Sequence, residues 1–177
     1  MKPLADQLAN YAAYHRDGRN IALHLIGIPL IVLAVEILLS RTSCSIGSFS
    51  VTAAVIASAL AALFYFRLDW RLGVAMAVLL ALGAWAGGFV ANQPHALWLG
   101  AGIGLFVLGW AFQFVGHFYE GRKPAFLDDL IGLLIGPLFV VAEIAFALGL
   151  RTDVERTITA AVGPKKKGRD RSRPSSL

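Results

Sequence analysis

Three of the four histidines stand where long apolar runs meet polar sequence, and an imidazole there is costly unless it is paired, wetted or bound to a cation. The first junction reads Tyr14-His15-Arg16-Asp17-Gly18-Arg19-Asn20-Ile21-Ala22-Leu23-His24, where an apolar run begins. The second reads Gln113-Phe114-Val115-Gly116-His117-Phe118-Tyr119-Glu120-Gly121-Arg122, where another ends. Three imidazoles and a carboxylate gathered at one point suit a borderline metal such as Fe(II) or Zn(II), with the carboxylate as ligand or as partner of a ligand. Taken singly, interfacial histidines are also satisfied by backbone and water. Whether His15, His24, His117 and Glu120 can meet depends on the elements that carry them.

Composition says what those elements are. The chain has 177 residues, 57% of them hydrophobic and only 15% charged, with a mean hydropathy of +0.66. A soluble domain of this size has no core large enough to hide so much apolar surface. Several runs approach the roughly 20 residues needed to cross a hydrocarbon layer of about 30 Å, which predicts an integral membrane protein. Net charge is +5, but half of the 16 lysines and arginines follow residue 150. Residues 1–150 read as one membrane-embedded domain, and 151–177 as a basic, disordered tail drawn to anionic lipid headgroups rather than to nucleic acid. The single cysteine, Cys44, excludes an intramolecular disulfide and a CxxC metal motif.

The segment before residue 21 reads as an interfacial helix to about His15, then a turn on Gly18, with Asn20 as candidate N-cap of the next helix. Full spans are predicted over 21–39, 46–66, 72–90 and 97–115, followed by a fifth apolar segment over 130–149. Ile21–Leu39 exceeds a signal-peptide core and no small-x-small site follows it, so it is read as a retained span. Short connections imply an all-α, up-down membrane bundle, with no strand-like alternation and no internal repeat. Segment five carries Gly132, Gly136, Pro137 and Glu143, so it kinks, re-enters or crosses; Pro29 and Pro137 are the expected kinks. Gly83 with Gly87, and Gly100 with Gly104, have the spacing of close helix contacts in lipid.

Lysine and arginine concentrate before span one and after spans two and four, which places the amino terminus and those loops on the cytoplasmic side. His15, His24, His117 and Glu120 then share one level, and His95 lies on the opposite face. His15 and His24 are nine residues apart, opposite faces of a continuous helix, but a turn at Gly18 folds one segment back over the other. His117 and Glu120 share a face if the helix continues one turn beyond the membrane edge. Glu36 and Glu143 fall away from the histidines and read as protonated or interhelical groups. Asn20 and Gln113 are candidate partners of the histidines or of a substrate, and Arg122 or Lys123 is either a substrate-carboxylate contact or a positive-inside anchor.

The run Tyr14-His15 … Asn20 … His24-Leu25-Ile26-Gly27-Ile28-Pro29, with Gln113-Phe114-Val115-Gly116-His117 … Glu120-Gly121-Arg122-Lys123-Pro124-Ala125, resembles the membrane-embedded 2-hydroxy-fatty-acid dioxygenase family over about residues 5–150. The resemblance implies an Fe(II)-dependent enzyme of fatty-acid α-oxidation, of the kind that serves phytosphingosine catabolism in the endoplasmic reticulum. It implies His15, His24 and His117 as the essential histidines, with Glu120 as a further ligand, and His95 matches none of its motifs. The implied partners are a 2-hydroxy fatty acid, O₂ and membrane lipid; the implied reaction cleaves C1–C2 and leaves an acid one carbon shorter. The Ala, Gly and Arg usage points to a bacterial inner membrane, with the active site toward the cytoplasm. Three other readings stay open: a transporter or proton pathway, a non-catalytic lipid-organising bundle, and a zinc hydrolase. Four histidines are too few for a membrane diiron hydroxylase, and oligomeric state is not readable.

Overall fold

The computed structural model describes residues 3–46, 49–121 and 131–166. In chain order the elements are α1 (Leu4–Ala12), α2 (Gly18–Leu39), β1 (Ser43–Ile46), β2 (Phe49–Thr52), α3 (Ala53–Leu68), α4 (Trp70–Ala91), α5 (His95–Glu120), α6 (Gly132–Ala147) and α7 (Thr152–Val162).

Side-chain caps set the helix starts. Asp17, not Asn20, caps α2, its carboxylate accepting the Arg19 N–H at 2.9 Å. Asn20 lies inside the first turn and is fully buried, where an amide serves tertiary contacts instead of the helix end. Thr52 and Asp69 cap α3 and α4 in the same way as Asp17. α5 runs on through His117 to Glu120 and stops on Gly121, which takes the left-handed conformation (φ 68°) and donates its N–H to the His117 carbonyl at 3.0 Å.

Three helices among the described residues are long and apolar enough to cross a membrane: α2 and α4 at 22 residues each and α5 at 26. The expected second span is shorter than predicted. Ser43–Ile46 and Phe49–Thr52 pair as antiparallel strands, Cys44 facing Val51 and Ser43 facing Thr52, and of this stretch only the 16 residues of α3 are helical. Those 16 residues reach about 24 Å at 1.5 Å each, short of the ~30 Å core. The sequence alternates Cys44, Ile46, Phe49 and Val51 with serines and a threonine, a period-two pattern rich in residues that favour strands. By length and composition alone, a fourth candidate span is found among the described residues only if α6 and α7 count as one, bent by 111°. That bend falls at Gly149 and Arg151, both with positive φ, and not at Pro137; Pro29 and Pro137 lie inside unbroken helices. An ion pair from Arg151 to Asp69 (2.6 Å) holds the corner.

Residues 152–162, expected to be part of a disordered tail, are the helix α7. Val154 and Ile158 recur at helical spacing and are buried against the core around α1 and α6, a short apolar stripe that the excess of charge conceals. α2 is the central element and touches α3, α4, α5 and α6. Its seam with α5 closes on Gly27 and Gly109, where a Cβ on either would sit 2.8 Å from the other's carbonyl oxygen. Gly102 and Gly116 continue that seam at seven-residue spacing, whereas Gly100 and Gly104, predicted as contacts, face open space. Gly83 and Gly87 do close on a neighbour, meeting Glu36 and Ser40 of α2. Trp85, Phe89, Val107 and Phe114 stay exposed on α4 and α5, an apolar outer surface compatible with contact with lipid.

Candidate metal centre

The chain leaves helical geometry after Ala12 and re-enters it at Gly18, so His15 sits on a turn folded over the start of α2. His24 lies near the beginning of α2 and His117 near the end of α5. The glycine seam holds those two helices close enough for the rings to meet: the His15, His24 and His117 centroids are separated by 4.4, 5.0 and 4.9 Å. One nitrogen from each ring lies within 4.8 Å of the others, and all three side chains are buried.

Hydrogen bonding fixes two of the tautomers. His15 Nδ1 lies 2.8 Å from the Tyr11 carbonyl and His24 Nδ1 lies 2.9 Å from the Asn20 carbonyl. A carbonyl only accepts, so each Nδ1 carries the hydrogen and each Nε2 is left with its lone pair. Those two Nε2 atoms are 3.1 Å apart. Two lone pairs at that distance repel unless a cation lies between or beside them. Burial makes a proton a poor candidate, lowering His15 from its usual range to about 3, with His117 adding repulsion and the Tyr11 carbonyl opposing both. Two nitrogens bound at about 2.1 Å to one ion, near right angles, sit about 3 Å apart. The donor set and its spacing therefore fit a divalent metal, with each Nδ1 anchored to backbone as metal-binding histidines commonly are.

Glu120 stands outside that triplet. Its Oε2 accepts from Arg16 N–H (2.9 Å), Asp17 N–H (2.8 Å) and Asn20 Nδ2 (3.0 Å), tying the last turn of α5 to the turn that carries His15. Asn20 thus binds Glu120 through its side chain and His24 through its carbonyl. Arg19 is hydrogen-bonded to Asp17 and holds that carboxyl below its usual range, keeping the α2 cap ionised. Gln113 is buried one turn before His117 and packs on Gly27. Arg122 and Lys123 lie outside the described residues. His95 is at the far end of α5, exposed, with Arg41 Nη1 donating to its Nδ1 at 3.0 Å. Glu36 accepts from Ser58 at 3.0 Å within the bundle, and Glu143 pairs with Lys165.

Sequence reasoning passed over Tyr11. Its ring stacks on His15 at 4.1 Å and 7°, its carbonyl orients that histidine, and burial pushes its hydroxyl up in pKa. The available signal was spacing: Tyr11 precedes His15 by four residues, as Asn20 precedes His24. Tyr11, His24, Gln113 and His117 also form the polar end of a pocket between α2, α5 and α6, with roughly 500 Å³ of free space including its open mouth. Ile28, Ile31, Val32, Trp110, Leu133 and Pro137 make the rest of it apolar. A molecule with a polar head and a hydrocarbon tail matches that division.

A family model described as 2-hydroxy-palmitic acid dioxygenase Mpo1-like matches residues 1–148. The 2-hydroxy-palmitic acid dioxygenase MPO1 of Saccharomyces cerevisiae is 34% identical over 157 residues, covering 88% of this chain and 87% of the yeast protein. No solved structure matches the chain.

Proposed function

The chain belongs to the Mpo1-like family of 2-hydroxy-palmitic acid dioxygenases, and from that premise we propose a membrane-embedded, Fe(II)-dependent enzyme that cleaves the C1–C2 bond of a 2-hydroxy fatty acid. In balance, R–CH(OH)–COOH and O₂ give R–COOH, CO₂ and H₂O. The observation that carries the metal is the pair of lone-pair-bearing Nε2 atoms of His15 and His24, 3.1 Å apart beside His117. Fe(II) is preferred to Zn(II) because a dioxygenase needs a redox-active ion, and Zn(II) has no redox chemistry.

His15, His24 and His117 would hold the ion, which when bound would supply the redox chemistry that O₂ activation needs. The Tyr11 and Asn20 carbonyls keep His15 and His24 in the tautomer that ligation needs. Glu120 works as a positioning residue, since its Oε2 already accepts from three donors. The apolar walls formed by α2, α5 and α6 receive the acyl chain and keep water from the reacting end, while Tyr11 and Gln113 offer polar groups to the carboxylate and 2-hydroxyl. The active site faces the cytoplasm of a bacterial inner membrane, where basic loops flank it.

The test is metal analysis of the purified protein together with O₂ uptake on 2-hydroxypalmitate. Iron near one equivalent and a product one carbon shorter are expected. A protein that retains zinc, or that turns over without consuming O₂, overturns the reading.

A further inference from the structure

His24 and His117 are carried by two long helices locked through Gly27 and Gly109. His15 is not. It rides on the turn between α1 and α2, and something other than a span has to hold that turn in place.

Every backbone polar group of residues 16–18 that α2 does not use has a partner from elsewhere in the chain. Glu120 takes the N–H groups of Arg16 and Asp17. From the other side, Lys166 N–H donates to the Arg16 carbonyl at 2.8 Å and the Lys166 carbonyl accepts Gly18 N–H at 3.3 Å, a short parallel bridge. Side chains fasten the same segment: Lys165 pairs with Glu143 of α6, and the Arg16 guanidinium donates to the Pro164 carbonyl. α7 delivers the segment to this place, because the corner at Arg151 turns the chain onto α1 and Val154 and Ile158 bury there. The match to the family model ends at residue 148, so α7 and the segment after it lie beyond the matched region.

We propose that residues 163–166 are a positioning strap for the metal centre, pairing with the Arg16–Gly18 turn and thereby fixing His15 against His24 and His117. The proposal rests on the metal-centre reading above. The ion is bound tightly only when all three imidazoles are presented together, and His15 is the one whose backbone can drift. Without the strap, the Arg16 carbonyl and Gly18 N–H lose their partners, and the turn is held from the Glu120 side alone.

Co(II) titration of the full-length, detergent-solubilised protein tests this, reading both affinity and the visible spectrum of the bound ion. Lys166→Pro removes the donating N–H, Lys166→Ala keeps it and removes only the side-chain charge, and a stop codon after Val162 removes the strap while sparing α7. Lys166→Pro and the truncation are expected to weaken Co(II) binding about tenfold or more and to alter its spectrum, with helical content unchanged by circular dichroism. Lys166→Ala is expected to match the parent in both. Unchanged affinity and spectrum in the proline and truncated forms overturn the strap. So does an equal loss in Lys166→Ala, which would assign the effect to charge. Failure of the intact chain to bind Co(II) overturns the metal centre itself, and the strap with it, which separates the two failures.

Discussion

α5 carries a histidine at each end, and the two ends differ in whether the imidazole's lone pair is already taken. At its start, His95 is exposed and Arg41 donates a hydrogen to its Nδ1. The same guanidinium also caps α4 through the Ala91 and Gln93 carbonyls and stacks on Trp98 at 4.5 Å. The lone pair of His95 Nδ1 is spent on a cation that is part of the protein. At the other end, His117 is buried beside His15 and His24, whose Nδ1 hydrogens go to carbonyls and whose Nε2 lone pairs face each other. Among the described residues, His15 and His24 hydrogen-bond to carbonyls and to each other, not to an arginine or lysine. A bundle that leaves lone pairs converging in a buried place has left a demand for positive charge, and burial makes a proton an expensive way to meet it.

Removing a ligand breaks the contrast most completely. His15→Ala, His24→Ala or His117→Ala is expected to take bound iron from about one equivalent to near zero, measured by elemental analysis after gel filtration. An iron content that survives loss of either helix-borne histidine contradicts the site. Closing the seam that brings His24 to His117 is the next largest change. Gly109→Val puts a branched side chain where even a Cβ would lie 2.7 Å from Ile31 and 2.8 Å from the Gly27 carbonyl. Because backbone is among those neighbours, the helices must separate, at a cost of about 1–3 kcal/mol in stability and with loss of metal. A lower midpoint of thermal unfolding and depleted iron check this together.

The sequence made the histidine convergence readable because four antiparallel passes, α2 to α5, bring the chain back to the end where it began: His24 enters α2 and His117 leaves α5, and the 16 residues of α3, though short, make one of those passes. It also made clear that His95 could not join them. Less was readable where one residue had two uses. Asn20 has the right identity for a cap, but Asp17 takes that role and frees Asn20 to connect Glu120 with His24. The pairing of β1 with β2 was hidden because the apolar content of residues 46–52 adds smoothly to that of α3, although its alternation was there to be seen. α7 was masked by charge, with only Val154 and Ile158 buried to mark a helix. Residues 163–166 after it show no apolar pattern; backbone hydrogen bonds, the Arg16 guanidinium on the Pro164 carbonyl and the Lys165–Glu143 ion pair hold them, and no periodicity encodes such contacts.

Glu120 offers a sharper test, because its role can be separated from ligation. Glu120→Gln keeps an oxygen that accepts hydrogen bonds but loses the charge, and Glu120→Ala loses the acceptor for three donors. If Glu120 positions the turn, the alanine variant should weaken metal binding about 10–100-fold and the glutamine variant should recover much of it. If Glu120 is a ligand, the two variants should fall together, since a neutral amide is a poor substitute for a carboxylate on Fe(II). A metal titration of both variants decides between these outcomes.

Stripping the ion changes stability more than architecture. An ion held by His15, His24 and His117 would join the α1–α2 turn, α2 and α5, segments distant in sequence, and would stabilise the folded form by mass action. With free metal at 100 times its dissociation constant, that stabilisation is about 2.7 kcal/mol. Chelation is expected to lower the unfolding temperature of the parent and to leave that of His24→Ala unmoved. An equal drop in both would place the chelator's action elsewhere.

The smallest effect belongs to the other end of α5. His95→Ala removes an exposed acceptor from Arg41, whose guanidinium keeps its contacts with the Ala91 and Gln93 carbonyls and with Trp98. The loss is one partly solvated hydrogen bond, about 1 kcal/mol or less. Iron content and turnover should equal those of the parent, and only the unfolding temperature should shift slightly. Were His95→Ala to lose iron, the two ends would be coupled along α5 through the seam at Gly102 and Gly109, and imidazole chemistry would not be confined to the buried end.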